Sequence, residues 1–283
     1  STRRCAIKPR CASDLHVRAR LTVTASMNTM SSIMLTKTNI FSLCRSAFGS
    51  PSYEADGVAI FQGDCLELMQ HLPSEIVELT VTSPPYNIGK EYEKKLSVAQ
   101  YLDWCESWIR EIHRLTKNDG TFWLNLGYFE VQQKGRAVPI PYLLWDRTPF
   151  YLIQEVVWNY GAGVAFRSMF SPRNEKFLWY AKDAMSYRFN LDDVRDPDVK
   201  YPNQKKNGKL KCNPLGKNPT DVWQFPKVTS GRGRSSDERT PHPAQFPIAV
   251  IDRIIRCSSN EGDVVLDPFM GSGTTAEAAL QIG

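Results

Sequence analysis

The 283-residue chain lacks most of what would mark a metal site, a disulfide scaffold or a membrane protein. Its seven cysteines (Cys5, Cys11, Cys44, Cys65, Cys105, Cys212 and Cys257) are scattered without a CxxC pair, and its four histidines do not cluster. Zinc-ligand spacing is absent, no metal is expected, and a reducing compartment is favoured. No apolar run approaches the roughly 20 residues that cross a bilayer, so no membrane partner is expected. Neither GxGxxG nor the GK[ST] of a phosphate loop occurs, which weakens dinucleotide and ATP readings. Acids are scarce in the first fifty residues, which hold eight basic residues and only Asp14. The remaining 27 basic and 29 acidic residues leave the body slightly negative, although the whole chain sums to +5.

What is there is aromatic and apolar enough for a folded α/β domain with a smaller insertion. Residues 1–50 read as a basic arm, either transit-like or disordered, or a translated leader with the start at Met27, Met30 or Met34. The leader is the preferred expectation, and no function is built on it. From Val58 the pattern sharpens. Val58 to Asp64 is a short strand, Cys65 to Pro73 has helical spacing, and Ile76 to Val81 is a buried strand. That strand runs into Thr82-Ser83-Pro84-Pro85-Tyr86-Asn87. Two prolines cannot continue a ladder, so the chain leaves the sheet in a stiff turn. The turn presents a hydroxyl, a carbonyl and an aromatic face side by side, a trio able to hold a planar ring and accept hydrogen bonds from an exocyclic amine. Taken alone, it is equally an ordinary strand exit with a packed tyrosine.

Ser97 then caps a strongly amphipathic helix through Leu115, Lys117 to Gly120 reads as a turn, and Thr121 to Gly127 as a buried strand with core aromatics. Helical and strand-like stretches follow at Pro141 to Trp145, Glu155 to Tyr160 and Lys176 to Lys182, the last two as a hairpin. Between Asp183 and Arg239 periodicity disappears. Ten Lys/Arg from Lys200 to Arg239 face three acids, with Tyr187, Phe189, Tyr201, Trp223 and Phe225 interleaved. Such a mixture can bind phosphates and wedge or stack bases, or it is a satellite core under a long loop. After His242 to Pro247 and a helix with Ile248, Val250, Ile251, Ile254 and Ile255, the second key stretch runs from Asp263 to Thr275. Strand, glycine loop and helix there can cradle a nucleotide-like ligand at a helix N-terminus. Asp267, facing the loop, would suit a ligand with an ammonium group such as S-adenosylmethionine, which also carries a sulfonium methyl.

TSPPYN together with DPFMGSGTT resembles the DNA amino-methyltransferases that act on cytosine N4 or adenine N6. The catalytic turn precedes the cofactor loop with a basic insertion between them, which resembles the permuted β subgroup; the likeness covers Val58 to Gly283. The resemblance implies a Rossmann-like S-adenosylmethionine-dependent methyltransferase fold, a mixed, mostly parallel α/β sheet with an irregular target-recognition insertion. It divides the chain into an arm at 1–50, a catalytic half at 51–182, the insertion at 183–239 and a cofactor half at 240–283. There the chain stops before a strand that in the family carries a ribose-gripping acid, so it is expected to be a fragment or to have that strand supplied from elsewhere.

By the same resemblance Ser83, Pro84, Pro85 and Tyr86 form the catalytic turn. Asp64, Asp267, Pro268, Phe269, Gly271, Ser272, Gly273 and Thr274 would bind the cofactor, with His242 to Pro247 packed beside its methionine part. Lys205, Lys206, Lys209, Lys211, Arg232 and Arg234 would contact double-stranded DNA. Ser at the first catalytic position points to the cytosine-N4 branch. The implied setting is a bacterial or archaeal cytoplasm, with a cognate restriction endonuclease as a functional rather than physical partner. Nothing in the residues specifies an oligomeric state. An adenine-N6 enzyme on the same scaffold, an RNA or small-molecule methyltransferase and a non-catalytic DNA-binding relic are the alternatives.

Overall fold

A computed structural model of the chain describes residues 19–24, 37–89, 95–161, 163, 165–228 and 236–282. In chain order the elements are β1 (Ala19–Thr24), α1 (Lys37–Phe48), β2 (Tyr53–Ala55), β3 (Val58–Gly63), α2 (Cys65–Gln70), β4 (Val77–Thr82), α3 (Val98–Leu115) and β5 (Thr116–Leu126). They continue as β6 (Tyr128–Val131), β7 (Gly135–Pro139), α4 (Ile140–Leu144), β8 (Tyr151–Asn159), β9 (Asn174–Ala181), β10 (Lys205–Lys206) and β11 (Lys209–Leu210). The last are β12 (Val222–Gln224), α5 (Ile248–Ser258), β13 (Val265–Asp267) and α6 (Thr274–Ile282). Nine strands form one sheet in the order β12-β8-β9-β5-β4-β13-β1-β3-β2. Six of them point the same way, with β1, β2 and β9 running against them. The sheet is thus mixed and mostly parallel, as expected.

The period-two alternation of the central strands decides what packs where. In β5, Phe122, Leu124 and Leu126 join one core, while Trp123 joins the other. Leu178 and Tyr180 of β9 follow the first face, Phe177 and Trp179 the second. Helices α1, α2 and α3 close the first face, α5 and α6 the second. A sheet covered on both sides needs apolar residues at nearly every central position, and these strands supply them. In α3, Ser97 and Gln100 form a full capping box, and Arg114 at its other end donates to the Met69 and Leu72 carbonyls at the end of α2.

Three expectations need correcting. Lys117 to Gly120 does not form a turn between elements. Strand β5 starts at Thr116, and these four residues bulge out where only Glu78 stands opposite, between the pairs Val77↔Thr116 and Leu79↔Thr121. The aromatics of the 183–239 stretch are only partly core: Trp223 is buried, while Tyr187, Phe189 and Tyr201 keep exposed faces. Tyr187 and Phe189 pack on Trp179, Trp223 lies 5.8 Å from Trp123, and β12 extends the sheet beside β8. Residues 222–224 of that stretch thus join the central sheet. Of the arm, β1 pairs antiparallel between β13 and β3, and α1 buries Ile40, Phe41 and Cys44. The helical spacing of those residues was legible but masked by the basic, serine-rich text around them. Met27, Met30 and Met34 lie outside the described residues.

If α1 belongs to the core, Ile40→Ala should lower unfolding free energy by about 2–4 kcal/mol, read from urea denaturation. An unchanged midpoint would show that the helix is not part of the folded body.

Candidate functional site

At the carboxyl edge of the sheet, β4 ends at Thr82 and β13, its parallel neighbour, ends at Asp267. Thr82 Oγ1 donates to Asp267 Oδ1 at 2.7 Å across 185 residues of sequence. Asp267 accepts two more hydrogen bonds, from Phe269 N at 3.0 Å and from Thr275 Oγ1 at 2.7 Å. Burial pushes its carboxyl up to about 6, and the three donors pull the other way. The residue is 4 % exposed. It brackets the two segments together.

Beyond Thr82 the prolines take the chain off the sheet. Tyr101 Oη of α3 donates to the Pro85 carbonyl at 2.8 Å, while the Pro84 carbonyl accepts no hydrogen bond among the described residues. Asn87, at φ 60°, closes the following loop by bonding both backbone groups of Leu96. Ser83 Oγ lies 3.1 Å from Tyr86 Oη, and both hydroxyls reach Asn125 Oδ1, Ser83 at 3.3 Å and Tyr86 in the closer contact. Asn125 is fully buried on β5. Its Nδ2 donates to the Lys176 carbonyl at 3.0 Å, which fixes the amide so that the acceptor end faces the turn. Gly127, two residues on, leaves room for the ring: a Cβ there would stand 2.7 Å from Tyr86. A single polar residue inside the apolar run Phe122 to Leu126 was the available signal for Asn125. Thr82 was overshadowed by the serine and prolines after it.

After Asp267 the chain turns through Pro268 and Phe269, whose ring packs on Trp104 and Trp108 of α3. The loop closes with Gly273 N donating to Met270 O at 2.9 Å, and Ser272 Oγ lies 2.9 Å from Thr274 Oγ1. Gly271 adopts φ +53°, and a Cβ there would meet His242 Nε2 at 3.0 Å. The His242 to Pro247 segment thus lies directly against the loop, with Thr274 Oγ1 also reaching Phe246 O at 3.5 Å. Asp64 stands at the same edge, two strands away from β13 at the end of β3. There one carboxylate oxygen caps α2 through Leu66 N and Glu67 N. The cysteines Cys44, Cys65, Cys105 and Cys257 are buried, and burial pushes their thiols up, which makes them poor nucleophiles at neutral pH.

Lys205, Lys206, Lys209 and Lys211 are exposed on or beside the β10–β11 hairpin, whose bonds run to Tyr201 and Gln204 within the insertion. Arg232 and Arg234 lie outside the described residues. Among the described residues no group of three or more His, Cys, Asp or Glu could hold a metal, and no helix is long and apolar enough to cross a membrane.

Comparison with known proteins gives a consistent answer. The profile of the DNA methylase family matches residues 77–283. The type II methyltransferase M.ScaI of Streptomyces caespitosus is 66% identical over 239 residues, spanning 84% of this chain and 79% of its own. The DNA adenine methyltransferase YhdJ of Escherichia coli (strain K12) is 33% identical over 238 residues, spanning 79% of this chain and 75% of its own. Among solved structures, the PvuII DNA methyltransferase (cytosine-N4-specific) superposes with a TM-score of 0.59 at 21% identity. It covers 78% of this chain and 77% of that one.

The buried carboxyl makes a pH prediction. Because Asp267 holds its proton more tightly folded than unfolded, its contribution is complete below the ordinary carboxyl range and declines as pH rises through about 6. Asp267→Asn removes that dependence. Relative to this variant, wild-type stability should fall between pH 4 and 6, by on the order of 2–3 kcal/mol, then stay level. Parallel stability curves for the two proteins would contradict the assignment.

Proposed function

This chain belongs to the DNA methylase family, and from that premise we propose that it methylates the N4 amino group of a cytosine flipped out of double-stranded DNA. S-adenosylmethionine, when bound, supplies the electrophilic methyl. The observation that carries the reading is the bond from Thr82 to Asp267, because it sets the Ser-Pro-Pro-Tyr turn beside a glycine loop on one edge of the sheet. The glycine loop held against His242 at Gly271 and the helix N-terminus after it suit such a cofactor. Asp267, Pro268, Phe269, Gly271, Ser272, Gly273 and Thr274 would hold it, with Asp64 at the adenine end.

The chain's own residues then hold the target. A base inside a duplex must be extruded at a cost of a few kcal/mol, and the Tyr86 ring, packed over Gly127, offers a stacking face. Asn125 Oδ1 can only accept, so it draws the hydroxyl hydrogens of Ser83 and Tyr86 inward and leaves Ser83 lone pairs facing out. Ser83 Oγ and the Pro84 carbonyl are then two acceptors for the two hydrogens of an exocyclic amine. Holding both hydrogens turns the nitrogen lone pair out of conjugation and aims it, so catalysis comes from orientation and electrostatics. After transfer the surplus proton leaves to water.

Serine at the first catalytic position supports cytosine, while the similarity to an adenine methyltransferase keeps adenine N6 as the second reading. The relatives' names support a restriction–modification setting. Lys205, Lys206, Lys209 and Lys211 remain the proposed phosphate contacts in the insertion, together with Arg232 and Arg234.

Digestion and mass spectrometry of DNA from cells expressing the chain should find N4-methyldeoxycytidine. N6-methyldeoxyadenosine would move the proposal to the second reading, and neither nucleoside would overturn both. Ser83→Ala and Tyr86→Ala should each lower turnover by about a hundredfold or more while cofactor affinity stays unchanged. Asn125→Ala should also slow turnover, yet add little in the Ser83→Ala background, since it acts through that hydroxyl.

A further inference from the structure

Two loops overhang the carboxyl edge beside the site, and neither has been given a role. The β6–β7 hairpin leaves β5 directly after Leu126 and Gly127, within a few residues of Asn125. The other loop joins β8 to β9, whose ends Asn159 and Asn174 pair at this same edge. Arg136 of the hairpin donates to Ser168 Oγ of the loop at 3.1 Å, so the two touch. The loop tip is bent back on itself by Phe166 N donating to Ser171 Oγ at 3.0 Å. That bend turns its large side chains to solvent: Phe170 is 99% exposed, Phe166 48% and Met169 37%.

Charge says what such a tip could meet. Lys134, Arg136 and Arg167 are exposed and make no ion pair among the described residues. Elsewhere Arg114, Lys117, Lys176 and Arg188 each sit on a carboxylate. An apolar tip flanked by uncompensated cations fits a polyanion with an apolar interior that can be entered, which describes stacked base pairs between phosphate strands. A base drawn out of the duplex leaves a gap that an apolar side chain can fill.

We propose that Phe170 is a wedge that enters duplex DNA at the step vacated by the target base, with Lys134, Arg136 and Arg167 on the flanking phosphates. The inference rests on the proposed base-flipping function and adds an element that the sequence reading assigned to the insertion's aromatics instead. Of those aromatics Trp223 is buried in the core and Tyr187 and Phe189 rest against Trp179, whereas Phe170 is almost wholly exposed. The wedge supports the gap on the duplex side while Tyr86 holds the extruded ring on the other.

The test uses the full chain, Phe170→Ala, and two duplexes built on the sequence found methylated in expressing cells. One has the target base paired, and the other has it opposite an abasic position, where extrusion is nearly free. In single-turnover assays Phe170→Ala should be about tenfold slower or more on the paired duplex and within about twofold of wild type on the other. Arg136→Ala and Arg167→Ala should each weaken duplex binding and lower the salt slope by about one. Wild-type rates on the paired duplex, or equal slowing on both duplexes, would overturn the wedge. An unaltered chain that transfers no methyl to DNA would instead be the failure of the function reading, and would take the wedge with it.

Discussion

The site depends on one buried hydrogen bond, from Thr82 to Asp267. Thr82 and Asp267 lie far apart in sequence, at the ends of adjacent parallel strands, and each is followed at once by a segment that leaves the sheet. Because Asp267 is desolvated, its carboxylate is tolerable only with its oxygens satisfied, and Thr82, Thr275 and the Phe269 amide do that. Removing any donor exposes the cost of the others. The same bracket therefore fixes the start of the Ser-Pro-Pro-Tyr turn, the bend of the glycine loop and the first turn of α6. Parallel neighbours suit this task, since both segments must exit on one edge.

Around that bracket the site is assembled from groups with little freedom. Prolines fix the backbone before Tyr86, α3 holds the Pro85 carbonyl through Tyr101, and Asn125 of β5 with Gly127 just beyond it lies beneath the ring. The hydroxyl directions follow from the orientation of one amide, itself set by a β9 carbonyl. None of these groups is a strong acid or base. A site of this kind can accelerate a reaction only by placing donors and acceptors, which matches transfer to an amine whose main difficulty is a delocalised lone pair.

Much of this was legible in the sequence because it rests on local chemistry. A double proline after an apolar run, a serine cap before a 3.6-period helix and a strand ending in Asp-Pro with glycines beyond it have few alternative structures. What was missed depends on long-range pairing. That Asp267 accepts a hydrogen bond from Thr82 requires knowing that β4 and β13 are neighbours. That Trp223 is core rather than a stacking surface requires knowing that β12 joins β8. The pattern Ile40, Phe41, Cys44 and Phe48 was helical, but nothing local says that a helix so far upstream packs on Phe61. Long-range register, not residue type, was the missing information.

The most direct test is a double-variant cycle on Thr82→Val and Asp267→Asn, read as the rate of methyl transfer at saturating cofactor and DNA. If the bond between them couples turn to loop, each change slows transfer and the double variant is no slower than the worse single one. That corresponds to a coupling of about 1–3 kcal/mol. Single changes without effect, or losses that multiply independently, would mean that the turn and the loop are positioned by other contacts and would contradict the account.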